Sequence, residues 1–101
     1  MIVQDASVQL LFGKDAEAIA LLQEIVAYND IHWPAPVPRQ LSVSITGEWR
    51  RVHFVTVKES LAEHEQQLAE EGAVGTLEAL KQQFYALTVP GTGRTELRRV
   101  V

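Results

Sequence analysis

Residues 39–58 read RQLSVSITGEWRRVHFVTVK, the clearest strand pattern in the sequence. The apolar residues of its first half alternate with polar ones: Leu41, Val43 and Ile45. This period of two is typical of a strand with one buried face. The second half is rich in β-branched and aromatic residues, which strands favour. A turn at Thr46-Gly47-Glu48 separates the halves, so we predict a hairpin of strands at 39–46 and 49–57, ending near Lys58.

Before the hairpin, the sequence predicts a strand, a helix and a stiff connector. Residues 7–13 alternate, with Val8, Leu10 and Phe12 on one face and a glycine at the end. Asp15 is suited to cap a helix, and apolar residues spaced three or four apart carry that helix to about Asn29. The three prolines of residues 33–38 then prevent the helix from continuing.

After the hairpin, the sequence predicts a helix in two parts and a last strand. Ser60 and Glu63 have the spacing of a capping box, so a helix begins there. Glycines interrupt it at residues 72–75, and Leu77, Leu80, Phe84 and Leu87 follow with helical spacing. A loop at residues 90–93 precedes a final strand at 95–101.

The resulting β-α-β-β-α-β order predicts an α+β, ferredoxin-like domain that spans residues 1–101. Its four-stranded antiparallel sheet carries the helices on one face and leaves the other open. An open, apolar sheet face is commonly covered by a second copy, so we expect a homodimer that forms through this face.

Composition excludes several classes of protein. The formal net charge is -4, which disfavours binding to nucleic acid, and few aromatic residues are placed to stack bases. No apolar run approaches the roughly 18 residues of a membrane span, and the first residues do not resemble a signal peptide, so a cytoplasmic location is expected. The chain has no cysteine and no cluster of metal ligands, so we expect neither a metal site nor a cofactor.

Three stretches together resemble a known superfamily. They are residues 47–55 (GEWRRVHFV), residues 58–63 (KESLAE) and the Pro90-Gly91 loop that leads to a short strand. In this order they resemble the dimeric α/β-barrel superfamily, and within it the NIPSNAP-like and antibiotic-biosynthesis-monooxygenase-like proteins.

The resemblance implies a homodimer whose two sheets stack into a barrel, with a small-molecule cavity between sheet and helices in each protomer. Some relatives are cofactor-independent oxygenases or haem-degrading enzymes, and others are isomerases or decarboxylases. A pocket of such an oxygenase places asparagine, tryptophan, tyrosine, histidine or arginine around an aromatic substrate. The superfamily alone does not fix the reaction.

His53 and Arg51 are the first candidate catalytic residues. Strand periodicity places them on the same face as Trp49, with Val52 and Phe54 pointing the other way. A histidine there is suited to be a general base, and an arginine to stabilise developing negative charge. The alternative is a hydrogen-bonded histidine in a dimer interface and arginines in ordinary ion pairs.

A second group of candidates lies where the first helix meets the connector. His32 is a further candidate catalytic residue, and Tyr28, Asn29 and Trp33, together with Trp49, are candidate ligand-binding residues. Trp33 has the alternative role of covering the core beside the prolines. His64 follows Glu63 in the first turn of the second helix, and we expect it on a solvated face.

These observations leave two functions open. The first is a homodimeric small-molecule-binding protein or cofactor-independent enzyme, monooxygenase-like or isomerase-like, that acts on an aromatic or anionic organic compound. The second is a non-catalytic interaction or assembly module. Whether the chain is an enzyme is not decided by the sequence.

Overall fold

A computed structural model describes residues 1–47 and 49–101. The elements follow in the order β1 (Ile2–Gln9), α1 (Asp15–His32), β2 (Gln40–Val43), β3 (Arg51–Lys58), α2 (Leu61–Glu71), α3 (Gly75–Tyr85) and β4 (Arg94–Arg99). The predicted order of strands and helices is confirmed, with the second helix divided into α2 and α3 as its glycines indicate.

The strands form one antiparallel sheet in the order β2-β3-β1-β4. The central pair is β1 and β3, in which Val8 lies opposite Val52 and Asp5 opposite Val55. All three helices lie on the face that carries Val8 and Val52. This is the ferredoxin-like arrangement, because the two halves of the chain each cross over the same face of the sheet.

Helix α1 packs a stripe of four buried residues against the sheet: Ala18, Leu22, Ile25 and Asn29. Asp15 and Glu17 lie in its first turn, where negative charge meets the positive end of the helix dipole. The helix ends at His32, three residues beyond the predicted Asn29, because the Trp33 amide still donates to the Asn29 carbonyl before the prolines begin.

Helices α2 and α3 confirm the predicted cap and the predicted break. The Ser60 hydroxyl accepts a hydrogen bond from the Glu63 amide at 3.2 Å and so begins α2. The chain leaves the helix after Glu71 and resumes helical structure at Gly75. From α3, Leu77 and Phe84 join the core.

The first strand begins and ends earlier than predicted. Residues 7–13 were the predicted strand, whereas β1 is Ile2–Gln9. Leu10 is buried in an isolated bridge to Thr88, and the chain then turns at Gly13. The turn carries Phe12 outward, so the prediction that it shares a buried face with Val8 is wrong. Its ring is 89% exposed, beneath the Arg50 guanidinium at 4.4 Å.

The second strand is shorter than the predicted 39–46. It ends at Val43, and Ile45 is 91% exposed in the turn that follows. Gly47 adopts a left-handed conformation, with φ of 81°, as the predicted reversal requires. Glu48, the last residue of the predicted turn, lies outside the described residues.

Among the described residues, no helix is both long enough and apolar enough to cross a membrane.

Candidate functional site

A cavity of about 600 Å³ lies between the sheet and the helices. Its floor is the helix-facing side of β1 and β3, and its walls come from α1, α2, α3 and residues 88–95. A volume of this size is within the range of pockets that hold small organic ligands, roughly 300–1,000 Å³.

The floor of the cavity changes from apolar to polar along the strands. Three cross-strand pairs form it: Val8 with Val52, Ala6 with Phe54, and Gln4 with Thr56. Successive pairs on one face are about 7 Å apart, because side chains alternate along a strand. The floor therefore offers an apolar surface about 7 Å long that ends at a pair of hydrogen-bonding side chains.

Along helix α1, the residues that line the cavity also change from apolar to polar. Leu22 and Ile25 line the cavity beside the core, and Asn29 lies one helical turn further along the same face. Asn29 is only 2% exposed, and its Oδ1 has no hydrogen-bond partner among the described residues. A buried acceptor without a donor is unfavourable, so this oxygen requires an explanation.

Helix α2 turns polar side chains toward the interior. Its buried residues are His64, Gln67 and Glu71, whereas Leu61 is exposed. The prediction that His64 lies on a solvated face is wrong, because positions spaced by three and four residues share one face of a helix. Gln67 and Glu71 line the cavity.

Two lysines and one glutamate meet at the polar end of the interior. The Glu71 carboxylate accepts a hydrogen bond from the Gln67 amide at 3.2 Å, and the Lys81 ammonium lies 3.7 Å from its other oxygen. Lys58 and His64 are 3% and 5% exposed, with the Lys58 Nζ and His64 Nδ1 atoms 2.7 Å apart. Ionisable groups are seldom buried in this number without a functional reason.

Burial lowers the pKa of the Lys58 ammonium, and the nearby cations Arg39 and Lys81 lower it further, while Glu71 opposes them. Burial also lowers the pKa of His64 from its ordinary 6.5, and the neighbouring Lys58 acts in the same direction. His64 is therefore neutral at pH 7, and its Nδ1 is free to accept a hydrogen bond from the Lys58 ammonium.

His53 and Arg51 lie on the opposite face of the sheet from the cavity, as the predicted alternation requires. The His53 Nδ1 is 3.1 Å from the Asp5 carboxylate, and its Nε2 is 3.3 Å from the Ser44 hydroxyl. Arg51 is buried, and it donates to the Ser7 hydroxyl and the Thr92 carbonyl at 2.8 Å. The order serine, histidine, aspartate matches a hydrolytic triad, but these groups lie on the flat open face, outside the cavity described above.

The aromatic candidates form a separate cluster at the end of α1. Tyr28 and His32 stack with their ring centroids 4.1 Å apart, and Trp33 lies against both rings. The Trp33 indole N–H donates to Glu70 of α2, so this residue joins two helices. Trp49 is exposed in the β2–β3 turn. Of the seven predicted site residues, only Asn29 lines the cavity, and the roles of all seven stay predictions.

Among the described residues, no three histidine or acidic side chains converge on a point that a metal ion could occupy.

The sheet order, the helices on one face and the cavity between them define a ferredoxin-like α+β domain with a pocket. No protein-family model matches the sequence, and no curated protein matches it either. Solved structures do match over the whole chain, and they confirm the resemblance noted from residues 47–63 at the level of the fold.

One match is a NIPSNAP family protein from Agrobacterium tumefaciens, at 15% identity and a TM-score of 0.83, covering 99% of this chain and 92% of that one. Another is a NIPSNAP domain protein from Burkholderia xenovorans, at 12% identity and a TM-score of 0.80, covering 100% and 95%. A third is an antibiotic biosynthesis monooxygenase, at 17% identity and a TM-score of 0.77, covering 100% and 99%. At these identities the likeness shows the fold alone.

Proposed function

We propose that this chain is a homodimeric protein that binds a small organic molecule in the cavity between sheet and helices and transfers a proton there. The observation that carries the proposal is the cavity itself, because its apolar floor ends at a group of buried polar and ionisable side chains. Apolar walls with few convergent polar groups are typical of ligand sites.

Glu71 is the proposed base. Its carboxylate lines the cavity, is held by the Gln67 amide and lies beside the Lys81 ammonium. A carboxylate in this position accepts a proton from a C–H or O–H group of the ligand, and the ammonium stabilises the negative charge that then develops. Proton abstraction of this kind serves an isomerase-like or a cofactor-independent, monooxygenase-like activity, the two that the resemblance suggests.

The open face of the sheet is the proposed dimer interface. Its central strands contribute Val3, Val55 and Val57 beside the network of Asp5 and His53. A sheet face without a covering layer leaves these valines partly in water, and a twofold-related copy removes them from it. The face is more polar than predicted, so ion pairs contribute to its specificity.

Uptake of a neutral fluorescent probe, N-phenyl-1-naphthylamine, tests the binding site. We expect wild-type protein to enhance its fluorescence, and Ala6→Phe to abolish the enhancement because the new ring fills the floor of the cavity. Ala79→Phe on the exposed side of α3 is the matched control and keeps full binding. Equal binding by Ala6→Phe and wild type would place the probe elsewhere.

Deuterium exchange tests the proposed base. In D2O, 2-tetralone exchanges its α protons slowly, and NMR follows the exchange. We expect wild-type protein to accelerate it and Glu71→Gln, which keeps the size and a hydrogen-bonding group, to lose most of the acceleration while still binding the ketone. An unchanged rate in Glu71→Gln would remove Glu71 from this role.

The second candidate, a non-catalytic interaction module, is favoured by one feature. Phe12, Ile45 and Trp49 are exposed apolar residues in the turns at the ends of β1 and β2. Exposed aromatic and aliphatic residues of this kind are found in protein interfaces. A folded dimer that takes up no neutral probe would support this candidate over the first.

A further inference from the structure

We propose that the ligand of this cavity is an organic acid that also carries a hydroxyl or N–H group, with the donor group bound by Asn29 Oδ1 and the acid group bound by Lys81. This inference rests on the proposed binding function and adds the chemical class of the ligand. It follows from one unsatisfied acceptor and one under-coordinated cation that line the same cavity.

The Oδ1 atom of Asn29 is a hydrogen-bond acceptor without a donor among the described residues. It continues the buried stripe of Leu22 and Ile25, a position where an apolar residue would remove the unfavourable burial of a polar oxygen. Its Oδ1 is out of contact with water and is unpaired among the described residues. This oxygen has no accessible surface, so a ligand hydroxyl or N–H group reaches it after the amide rotates about its Cβ–Cγ bond, and then supplies the missing hydrogen bond.

The Lys81 ammonium carries N–H groups that make no hydrogen bond among the described residues. Its contact with Glu71, at 3.7 Å, is an ion pair but is too long for a hydrogen bond. Lys58 is a second cation near the same carboxylate, with Glu63 as a further anion near it, while Arg39 is paired with Asp30 at 2.7 Å. The Lys81 ammonium can therefore donate hydrogen bonds to an anionic group on the ligand at this end of the cavity.

The apolar part of the cavity floor determines the size and shape of the hydrocarbon part of the ligand. Ala6 and Phe54 lie between the polar pair of Gln4 and Thr56 and the core pair of Val8 and Val52. A fused aromatic ring of about 7 Å fits along one such step of the sheet. The proposed class is therefore a flat or compact hydrocarbon that bears both a donor and an acid group.

Three naphthalenes test this proposal by calorimetry: 6-hydroxy-2-naphthoate, 2-naphthoate without the hydroxyl, and 2-naphthol without the acid. We expect the first to bind wild-type protein about tenfold more tightly than either of the others, because each removed group loses one buried interaction. Asn29→Leu should remove the advantage of the hydroxyl only. Lys81→Met should remove the advantage of the carboxylate only.

Asn29→Asp is the matched variant, because it keeps an acceptor oxygen and adds a negative charge. It should keep the preference for the hydroxyl while weakening both acids relative to 2-naphthol. It also maintains the test if Asn29→Leu fails to fold.

The proposal is overturned if the hydroxyl advantage is as large in Asn29→Leu as in wild type, or if Lys81→Met weakens 2-naphthol as much as 2-naphthoate. It is also overturned if wild-type protein binds N-phenyl-1-naphthylamine but binds neither 6-hydroxy-2-naphthoate nor 2-naphthoate. That result would leave the binding cavity in place with a different ligand class. Failure to bind even the neutral probe would instead remove the proposed function, and this inference with it.

Discussion

Asn29 is a residue that we expect to lower the stability of the protein while contributing to ligand binding. Its unpaired, buried Oδ1 costs free energy in the ligand-free protein. We predict that Asn29→Leu, which keeps the branched shape and the number of side-chain heavy atoms and has no polar atom, raises the free energy of unfolding by about 1 kcal/mol. Urea unfolding measures this, and a variant less stable than wild type would show that the amide is satisfied within the protein.

His64 makes stability depend on pH. Its pKa is lowered on folding, so the unfolded chain binds more protons as the pH falls through and below 6.5. The facing charged groups are Lys58 on β3 and Glu65 and Glu71 on α2. The contribution of His64 is complete above pH 6.5 and is lost as the pH falls through its folded pKa.

We therefore predict that His64→Gln, which keeps an acceptor for Lys58, is destabilised less than wild type when the pH is lowered from about 7.5 to about 5. Urea unfolding of both proteins at each pH gives the difference. An identical loss of stability in the two proteins would mean that folding does not lower the pKa of His64.

For individual residues, the sequence predicted the open face of the sheet better than the face that the helices cover. The face of His53 follows from strand alternation, and the structure agrees. The prediction that His64 lies on a solvated face was wrong, although a polar residue in a helix is ordinarily solvated. The missed signal is the spacing of His64, Gln67 and Glu71, which places all three on one face of α2.

Among the elements, the predicted bounds of β1 were wrong where the chain lines the cavity, and those of β2 were wrong in the turn outside it. Between Ile2, which is buried, and Val8, the inward residues of β1 are Gln4 and Ala6, which line the cavity, and the polar Gln4 interrupts the apolar alternation of a core strand. The alternation begins at Val8 and continues past the end of the strand to Phe12. The predicted strand was therefore displaced toward residue 13, whereas capping and glycine signals located α2 and α3 correctly.

The start of α2 offers a test at this scale. Ser60→Ala removes the hydroxyl that accepts from the Glu63 amide, and we predict a loss of about 1 kcal/mol in the free energy of unfolding. Ser60→Asp keeps a capping oxygen and should stay close to wild type. A loss of equal size in both variants would show that the cap contributes little and that another contact of Ser60 matters.

For the whole molecule, the open sheet face predicts a twofold dimer. Val55 lies on a central strand of that face, so Val55→Asp places a charge from each copy in one interface. We predict that this variant is monomeric in sedimentation velocity at a concentration where wild type is dimeric. Ala79→Asp on the exposed side of α3 is the control and stays dimeric. A dimeric Val55→Asp would move the interface away from this face.

Native mass spectrometry during titration with 6-hydroxy-2-naphthoate tests the proposed dimer and its ligand site together, because one spectrum reports both the assembly and the bound ligand. We predict a wild-type dimer that takes up one ligand in each protomer, and an Ala6→Phe dimer that takes up none. A protein that binds no ligand, or an Ala6→Phe variant that binds as much as wild type, would contradict a ligand site between the sheet and the helices.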